Sequence, residues 1–348
     1  MSSRFSALTP DFLLSAVERL GLEPTGHVTA LTCLENRVFD LRLEEGRHVV
    51  VKFYRPGRWS REAILEEHRF LLELREEAEI PVCAPLRFEA GQTLFEMDGI
   101  FYAVWPRVGG RSPDELGAEE LPVLGRLLAR IHNTGAVRDA PHRPELTGEH
   151  YGLAPLSFLV EHRFLPPSVE SRYRRAAEAV VEIYEARREG VPFHRIHGDC
   201  HLGNLLKGYE GFFFLDFDDF LRGPAVQDVW MLLPGREPED RGRRQRLIAA
   251  YREFRDFDER WLALVEPLRS LRFIRYAGWI ASRRDDPAFP AAYPHFGTPE
   301  YWEKETRDLE EQVARMRAGE DLEPVREVGP AEAQEARELT RRDYFFDL

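Results

Sequence analysis

The chain has 348 residues, 43% of them hydrophobic, and a formal net charge of −13 at pH 7. This length and composition fit an ordinary globular protein of one large or two medium domains, and the acidic balance argues against nucleic acid as a partner, because nucleic-acid binders need basic patches. No run approaches the ~20 apolar residues of a membrane span, and residues 1–9 contain no apolar secretion segment. The three cysteines are too scattered for a disulfide framework, which fits a reducing compartment. We therefore expect a cytoplasmic protein with no membrane partner.

The first third of the chain predicts a small antiparallel sheet with one main helix. Thr9 followed by Pro10 is typical of a helix start. Residues 31–52 read as two strands around a turn at 44–46. The sequence predicts three further strands, near 86–88, 93–97 and 100–105.

Lys52 stands at the end of a predicted buried strand that contains three valines, 49–51. A lysine on a rigid strand can direct its ammonium group at the α- and β-phosphates of a nucleotide; the alternative is a surface lysine at a strand edge. The preceding strand connection contains residues 33–36, Cys-Leu-Glu-Asn, and no glycine. Backbone N–H groups in that connection can contact phosphates, or the segment is an ordinary hairpin loop.

The main helix is predicted over residues 60–75, and one of its faces combines apolar residues with Glu67. A carboxylate in an apolar stripe needs a partner, because burying it alone is costly. Lys52 is the natural partner of Glu67. Glu66 is the alternative partner, although a solvated position fits Glu66 better than Glu67.

A change of structure is predicted after residues 105–110, where an extended linker would offer backbone groups to adenine. The rest of the chain reads mostly as helices, including one over 169–189 and one over 259–284 that Pro267 interrupts. A last helix is predicted from Thr298 to about Arg317.

The chemistry is concentrated in a short strand-turn-strand segment around Asp199, Asn204 and Asp216. Asn204 begins one strand of the predicted hairpin and Asp216 ends the other, so antiparallel pairing brings them side by side. Asn and Asp oxygens suit Mg²⁺ held against a nucleoside triphosphate. The remaining carboxylate, Asp199, can orient and deprotonate an attacking hydroxyl.

Six motifs carry a resemblance to a known family. They are E-N-R-V-F at 35–39, V-V-K-F-Y-R-P at 50–56, L-E-E-H at 65–68, H-G-D-C-H at 197–201, G-P-A-V-Q-D-V-W-M-L-L at 223–233 and D-P-A-F-P at 286–290. With these motifs in this order, the sequence resembles the stress response kinase A family. That family consists of bacterial serine/threonine kinases within the aminoglycoside phosphotransferase/choline kinase group. The resemblance covers roughly residues 5–315.

The resemblance implies an α+β, two-lobed fold like that of protein kinases, with an N-terminal antiparallel sheet lobe and a mostly helical C-terminal lobe. We expect an ATP-binding lobe at 1–106, a catalytic and substrate lobe at 107–317 and a charged, flexible tail at 318–348. We expect the protein to be a monomer.

The resemblance also implies the roles of single residues. Cys33 would lie over the ATP, with Lys52 and Glu67 binding the nucleotide. Asn204 and Asp216 would bind Mg²⁺, and Asp199 would act as the base. Asp199 and Asp216 would thus be the two catalytic residues. A further aspartate, 228, would brace the catalytic loop by hydrogen bonds.

The family resemblance implies an ATP- and Mg-dependent transfer of phosphate to serine or threonine of proteins. Three alternatives stay open: a kinase of a small alcohol, a nucleotide-binding regulator without catalysis, and a metal hydrolase. The hydrolase would use the residues that crowd into 194–201, which are His194, His197, Asp199, Cys200 and His201. The histidine spacing matches no hydrolase motif, and His197 is better explained as a scaffold of the loop.

Several residues around the motif have two interpretations. Asp218 and Asp219 could assist metal or substrate binding, but we expect them to be solvated. Three arginines that recur every third residue either bind an acidic or phosphorylated substrate or, as we expect, pair with carboxylates of the chain. They are Arg269, Arg272 and Arg275. Cys200 beside the base invites redox control, although a buried structural cysteine is the simpler interpretation.

Overall fold

The computed structural model of the chain describes residues 8–209 and 211–322. Its first part is an antiparallel sheet of five strands in the order β1-β2-β3-β5-β4. The strands are β1 (Pro24–Leu31), β2 (Arg37–Leu43), β3 (His48–Phe53), β4 (Phe95–Met97) and β5 (Ile100–Pro106). Two helices pack against the sheet, α1 (Pro10–Glu18) and α2 (Arg61–Leu72).

Strand β3 separates two environments because successive side chains of a strand point to opposite faces. Val49, Val51 and Phe53 are fully buried in the core that the sheet forms with α1. Val50 and Lys52 point to the other face and line a cleft. The alternation therefore places the lysine ammonium group on the inner side of the sheet.

The number of strands was predicted, but the set of strands was partly wrong. No strand forms at 86–88: Leu86 donates one backbone hydrogen bond to Val104, and the chain then turns back through Glu89–Gly91. The fifth strand is β1, which the sequence did not reveal. Because β1 is an edge strand whose residues are mostly exposed, it lacks the apolar alternation that marks a half-buried strand.

The second part of the described chain is mostly helical. Its helices are α3 (Glu120–Val137), α4 (Ala154–Glu161), α5 (Glu170–Arg187), α6 (Val226–Leu232), α7 (Pro238–Tyr251), α8 (Val265–Ser282), α9 (Ala288–Ala292) and α10 (Pro299–Ala318). The predicted helix starts at Thr9 and Thr298 are confirmed, since each threonine side chain caps its helix. Pro267 does not interrupt a helix as predicted; it lies in the first turn of α8, where a proline is tolerated.

Two small antiparallel pairs of strands lie between α5 and α6. Strand β6 (Phe193–Ile196) pairs with β9 (Leu221–Pro224), and β7 (Leu205–Gly208) pairs with β8 (Gly211–Phe214). The β7–β8 register sets Leu205 opposite Phe214.

These elements confirm the predicted α+β class, with a sheet lobe followed by a helical lobe. The boundary at residues 106 and 107 stays a prediction. The predicted tail, 318–348, lies outside the described residues from 323 onward. In the described ranges, no helix is both long enough and apolar enough to cross a membrane.

Candidate active site

A cleft of about 430 Å³ lies between the sheet and the β7–β8 hairpin. The structure brings five of the predicted site residues to its walls. They are Cys33, Lys52, Glu67, Asn204 and Asp216. The segment predicted to contact adenine also lines the cleft, through Trp105–Val108 and Gly110. Arg111 fixes this linker by exchanging two backbone hydrogen bonds with Lys207, at 2.8 and 3.1 Å.

Lys52 forms an ion pair with the predicted helix glutamate. Its Nζ lies 3.3 Å from Oε1 of Glu67, and both side chains are buried. Burial alone would lower the pKa of Lys52, but the neighbouring carboxylates raise it well above its ordinary value. Burial raises the pKa of Glu67 to about 7, although the Lys52 ammonium group opposes this shift. Lys52 is therefore held as a cation on the cleft wall.

Glu66 has a different partner, and the expectation that it is solvated is wrong. Its side chain is buried, and both carboxylate oxygens accept from the backbone N–H of His142, at 3.1 and 3.3 Å. This contact joins α2 to the loop after α3. Sequence reasoning could not supply it, because the two residues are far apart in the chain.

The loop before β7 is braced from within the helical lobe. Asp228 is fully buried, and its two oxygens accept the backbone N–H groups of His197 and Gly198, each at 2.8 Å. The ring of His197 lies 2.8 Å from the carbonyl oxygen of Leu215. Gly198 has a φ of +82°, and a Cβ there would lie 2.7 Å from the carbonyl oxygen of Asp219, so a side chain would not fit. These contacts within the chain hold the loop that carries Asp199 in one geometry.

The hairpin brings Asn204 and Asp216 close together, as its register predicts. Leu215 donates its backbone N–H to the Asn204 carbonyl oxygen at 2.8 Å, which sets Asp216 one residue beyond the pair. The Asn204 side chain donates to the carbonyl oxygen of Asp199 at 2.9 Å. Asp216 adopts a left-handed backbone conformation, with φ 53° and ψ 65°, which is uncommon outside glycine.

Asp199 lies on the same loop, but its carboxylate lines a second, smaller cavity. Nη1 of Arg272 lies 2.7 Å from its Oδ1, and the ring nitrogen Nε2 of His201 lies 3.4 Å from its Oδ2. Burial would raise the pKa of Asp199, but these two neighbours hold it well below the ordinary range. Arg272 therefore pairs with a carboxylate, as expected, and that carboxylate belongs to the predicted base, Asp199.

The remaining arginines of that series also have carboxylate partners. Arg269 contacts Glu266 at 3.2 Å, and Arg275 contacts Asp219 at 3.1 Å. The prediction of internal pairing is therefore correct for all three arginines.

Asp218 is not solvated as expected. Its side chain is buried; Lys52 lies 3.1 Å away, and Arg58 forms a close ion pair with it. Asp219 also pairs with Arg58, at 2.7 Å. No sequence pattern pointed to Arg58, which lies in the connection between β3 and α2. It reaches across to the segment after β8 and compensates both carboxylates.

Three of the family motifs, at 35–39, 50–56 and 286–290, meet at a junction between the lobes. Asp286, of the motif at 286–290, lies 2.8 Å from the Arg55 guanidinium and 3.4 Å from that of Arg37. Glu35 accepts from the Trp279 indole at 2.6 Å and pairs with Arg283 at 2.9 Å. The connection between β1 and β2 is therefore fastened to the end of α8 and to the segment after it.

The histidines of the metal-hydrolase alternative do not converge. His194 is buried in the core and packs against His132, whereas His201 accepts from the backbone N–H of Gly203. Among the described residues, no group of three or more His, Cys, Asp or Glu side chains is placed to hold a metal ion. Cys200 is buried, and burial raises the pKa of its thiol well above the ordinary value, which agrees with a structural cysteine.

The sequence matches a known family and curated relatives over most of its length. Residues 31–265 match the model of the phosphotransferase enzyme family. Stress response kinase A of Escherichia coli strain K12 is 39% identical over 310 residues, which cover 89% of this chain and 94% of that protein. A Salmonella typhimurium protein named serine/threonine protein kinase RdoA is 38% identical over the same extent.

Solved structures share the fold at low sequence identity. Amicoumacin kinase hAmiN, in complex with AMP-PNP, Ca²⁺ and Ami, is 19% identical with a TM-score of 0.68, and the match covers 94% of this chain and 98% of that one. A microcompartment-associated aminopropanol kinase is also 19% identical, with a TM-score of 0.65 and coverage of 89% and 99%. These likenesses confirm the predicted kinase-like fold and say nothing further about this chain.

Proposed function

This chain belongs to the phosphotransferase enzyme family and, within it, to the stress response kinase A family, and we propose that it transfers the γ-phosphoryl group of ATP to serine or threonine hydroxyls of proteins. The observation that carries the proposal is the arrangement around the cleft. A buried Lys52–Glu67 pair lies on one wall, Asn204 and Asp216 lie on the other, and the Asp199 carboxylate stands at the adjoining cavity.

In the proposed complex, the nucleotide occupies the cleft with its adenine against the 105–110 linker. Lys52 contacts the α- and β-phosphates, and Glu67 keeps the ammonium group in position. Cys33 lies over the nucleotide from the connection between β1 and β2. The fastening of that connection to α8 by Glu35 supports a fixed cover for the phosphates.

The residues present fit a bound Mg²⁺. The Asn204 amide nitrogen donates to the Asp199 carbonyl oxygen, which leaves the amide oxygen available to a cation. The Asp216 side chain is half exposed and lines the same cleft. An amide oxygen and a carboxylate are the kind of incomplete oxygen set that Mg²⁺ completes with phosphate oxygens and water. When bound, the ion would offset negative charge on the phosphates.

Asp199 is the proposed base. It accepts a hydrogen bond from the acceptor hydroxyl and takes its proton as the phosphoryl group moves in line to the oxygen. The bracing of its loop by Asp228 and His197 supports this role, because a base must be held within hydrogen-bond reach of one proton.

A small-alcohol kinase is the second candidate, since solved structures of similar fold carry names such as aminopropanol kinase. The protein acceptor is preferred because the curated relatives of higher identity include one named as a serine/threonine protein kinase. A chain that binds ATP without transferring phosphate is the third candidate.

The test is label transfer from γ-labelled ATP with Mg²⁺ to a cell extract that has been separated into protein and metabolite fractions. Label on serine or threonine that Asp199→Asn abolishes, while the variant still binds ATP, supports the proposal. Label only in a metabolite assigns a small-molecule kinase. Binding of ATP with no transfer to either fraction favours the non-catalytic regulator.

A further inference from the structure

The cavity beside Asp199 has an unusual balance of charge for this acidic protein. Its volume is about 140 Å³, and among the described residues that line it, the ionised side chains are three arginines and two aspartates. They are Arg58, Arg272, Arg275, Asp199 and Asp219. Arg58 also pairs with the buried Asp218 and is only 10% exposed, so the accessible positive charge of the cavity comes from Arg272 and Arg275, which are 38% and 32% exposed.

Arg272 forms an ion pair with the proposed base. Its guanidinium group lies 2.7 Å from Oδ1 of Asp199, while His201 lies 3.4 Å from Oδ2. An acceptor hydroxyl needs one of these oxygens. The Arg272 side chain is 38% exposed, so it can turn from Asp199 if another anion offers it an equivalent ion pair.

Other residues that line the cavity also suit an anionic ligand. The Arg275 guanidinium lies 4.1 Å from the centre of the Tyr151 ring, which fixes its plane. Tyr276 and Trp279 stack at 5.3 Å and add an aromatic wall. Arginine forks on a rigid support are suited to carboxylate and phosphate groups.

We propose, on the basis of the function proposed above, that this cavity selects acceptors whose hydroxyl stands next to an anionic group, a carboxylate or a phosphate. The anionic group binds Arg272 and Arg275, and Arg272 thereby leaves Asp199 free to accept the hydroxyl. In a protein acceptor, this describes a serine or threonine beside an acidic or phosphorylated residue.

A cationic acceptor fits the cavity poorly. Its ammonium group would meet the guanidinium groups of Arg272 and Arg275 and would have to displace them from Asp199 and Asp219. Like charges at close range disfavour such a partner. The cavity thus discriminates between acceptors by charge as well as by shape.

The first experiment compares serine peptides that differ only in the residue after the serine: Asp, Asn or Lys. We expect kcat/KM to be at least tenfold higher with Asp than with Asn, and lowest with Lys. Arg272→Gln should remove the preference, and Arg272→Glu should reverse it toward Lys, which a merely structural role would not do. Arg269→Gln is the matched control, because it stands one turn away on α8, pairs with Glu266 and does not line the cavity.

Small acceptors separate this inference from the proposed function. Glycerate is compared with glycerol and with an aminoalcohol in the same assay. Preference for glycerate without any peptide labelling supports the anionic cavity but overturns the protein-kinase assignment. Equal or higher rates with Lys peptides or with the aminoalcohol overturn the inference, whichever acceptor class is used.

If no acceptor takes label, binding of inorganic phosphate decides the matter. It is titrated by calorimetry into protein saturated with Mg²⁺ and AMP-PNP, so that the nucleotide site is already filled. Binding that Arg272→Gln weakens at least tenfold, and that Arg269→Gln retains, supports the inference. Absence of binding, or equal binding by both variants, overturns it.

Discussion

Nζ of Lys52 lies 3.1 Å from Oδ1 of Asp218, which is closer than the 3.3 Å that separates it from either Glu67 or Asp216. The Asp218 side chain is only 3% exposed, whereas that of Asp216 is 49% exposed. Three carboxylates thus surround one ammonium group. Asp216 is the most accessible of the three and the most able to turn toward a bound cation.

Asp218→Asn should destabilise the folded protein by about 2 kcal/mol, because a hydrogen bond to a charged group contributes roughly 1.5–3 kcal/mol and the other carboxylates near Lys52 and Arg58 remain in place. Both Lys52 and Arg58 would lose their nearest carboxylate. The free energy of unfolding, measured by urea denaturation, checks this. Asp219→Asn is the control: Asp219 also pairs with Arg58, but it is 31% exposed, so its loss should cost below about 1 kcal/mol. Equal losses for the two variants would contradict the argument.

Glu67→Gln and Glu66→Gln form a matched pair on adjacent positions of α2. Glu67→Gln should lower kcat/KM for ATP about tenfold, because a hydrogen bond between charged groups contributes roughly 1.5 kcal/mol and here holds Lys52. Glu66→Gln should leave that constant nearly unchanged, because Glu66 contacts the backbone of His142 and not the lysine. Initial rates at varied ATP concentration test both expectations. A larger loss of kcat/KM in Glu66→Gln than in Glu67→Gln would mean that Glu67 is not the glutamate that positions Lys52.

The polar residues of the cleft could be predicted because local structure fixes their spacing. Asn204 and Asp216 flank one hairpin, so the strand register alone brings them together. The helix period likewise places Glu67 on the buried face of α2. The kinase-like fold followed from the order of the motifs.

The contacts of Arg58 and Arg272 could not be predicted, because their partners are remote in sequence. Arg58 pairs with a carboxylate 161 residues away, and Arg272 pairs with one 73 residues away. An acidic cluster such as 218–219 has the same local pattern whether it is solvated or buried. Only the fold decides, by bringing a guanidinium group to it.

Asp216→Asn should make nucleotide binding insensitive to Mg²⁺. In wild-type protein, we expect EDTA to weaken AMP-PNP binding at least tenfold, because Asn204 and Asp216 supply oxygen ligands to the ion. In Asp216→Asn, the affinities with Mg²⁺ and with EDTA should be nearly equal. Glu67→Gln is the control, because it should weaken binding by a similar factor in both conditions. Fluorescence titration with a labelled nucleotide measures these affinities, and an intact Mg²⁺ effect in Asp216→Asn would refute the metal role.

His194 should make the protein less stable in mild acid. Its side chain is buried, and in the described part of the chain neither ring nitrogen has a hydrogen-bond partner. Burial lowers the pKa of His194 to about 2, whereas an unfolded histidine titrates near 6.5. The unfolded chain therefore binds the proton first as the pH falls, so the free energy of unfolding decreases from about pH 6.5 downward. At pH 5 the loss reaches at most about 2 kcal/mol.

His194→Leu should remove this part of the acid sensitivity. The free energy of unfolding, measured by urea denaturation at pH 7.5 and pH 5, should fall by about 1–2 kcal/mol less in the variant than in the wild type. The substitution also removes the two buried ring nitrogens that have no hydrogen-bond partner. The free energy of unfolding at pH 7.5 should therefore be retained or increased. His27→Leu is the control at an exposed position of β1 and should leave the difference between the two pH values unchanged. If His194→Leu is as acid-sensitive as the wild type, the prediction is wrong and His194 binds its proton in the folded protein. The ring of His194, which packs against His132 at 5.0 Å, would then have to move to make room for a charged imidazole.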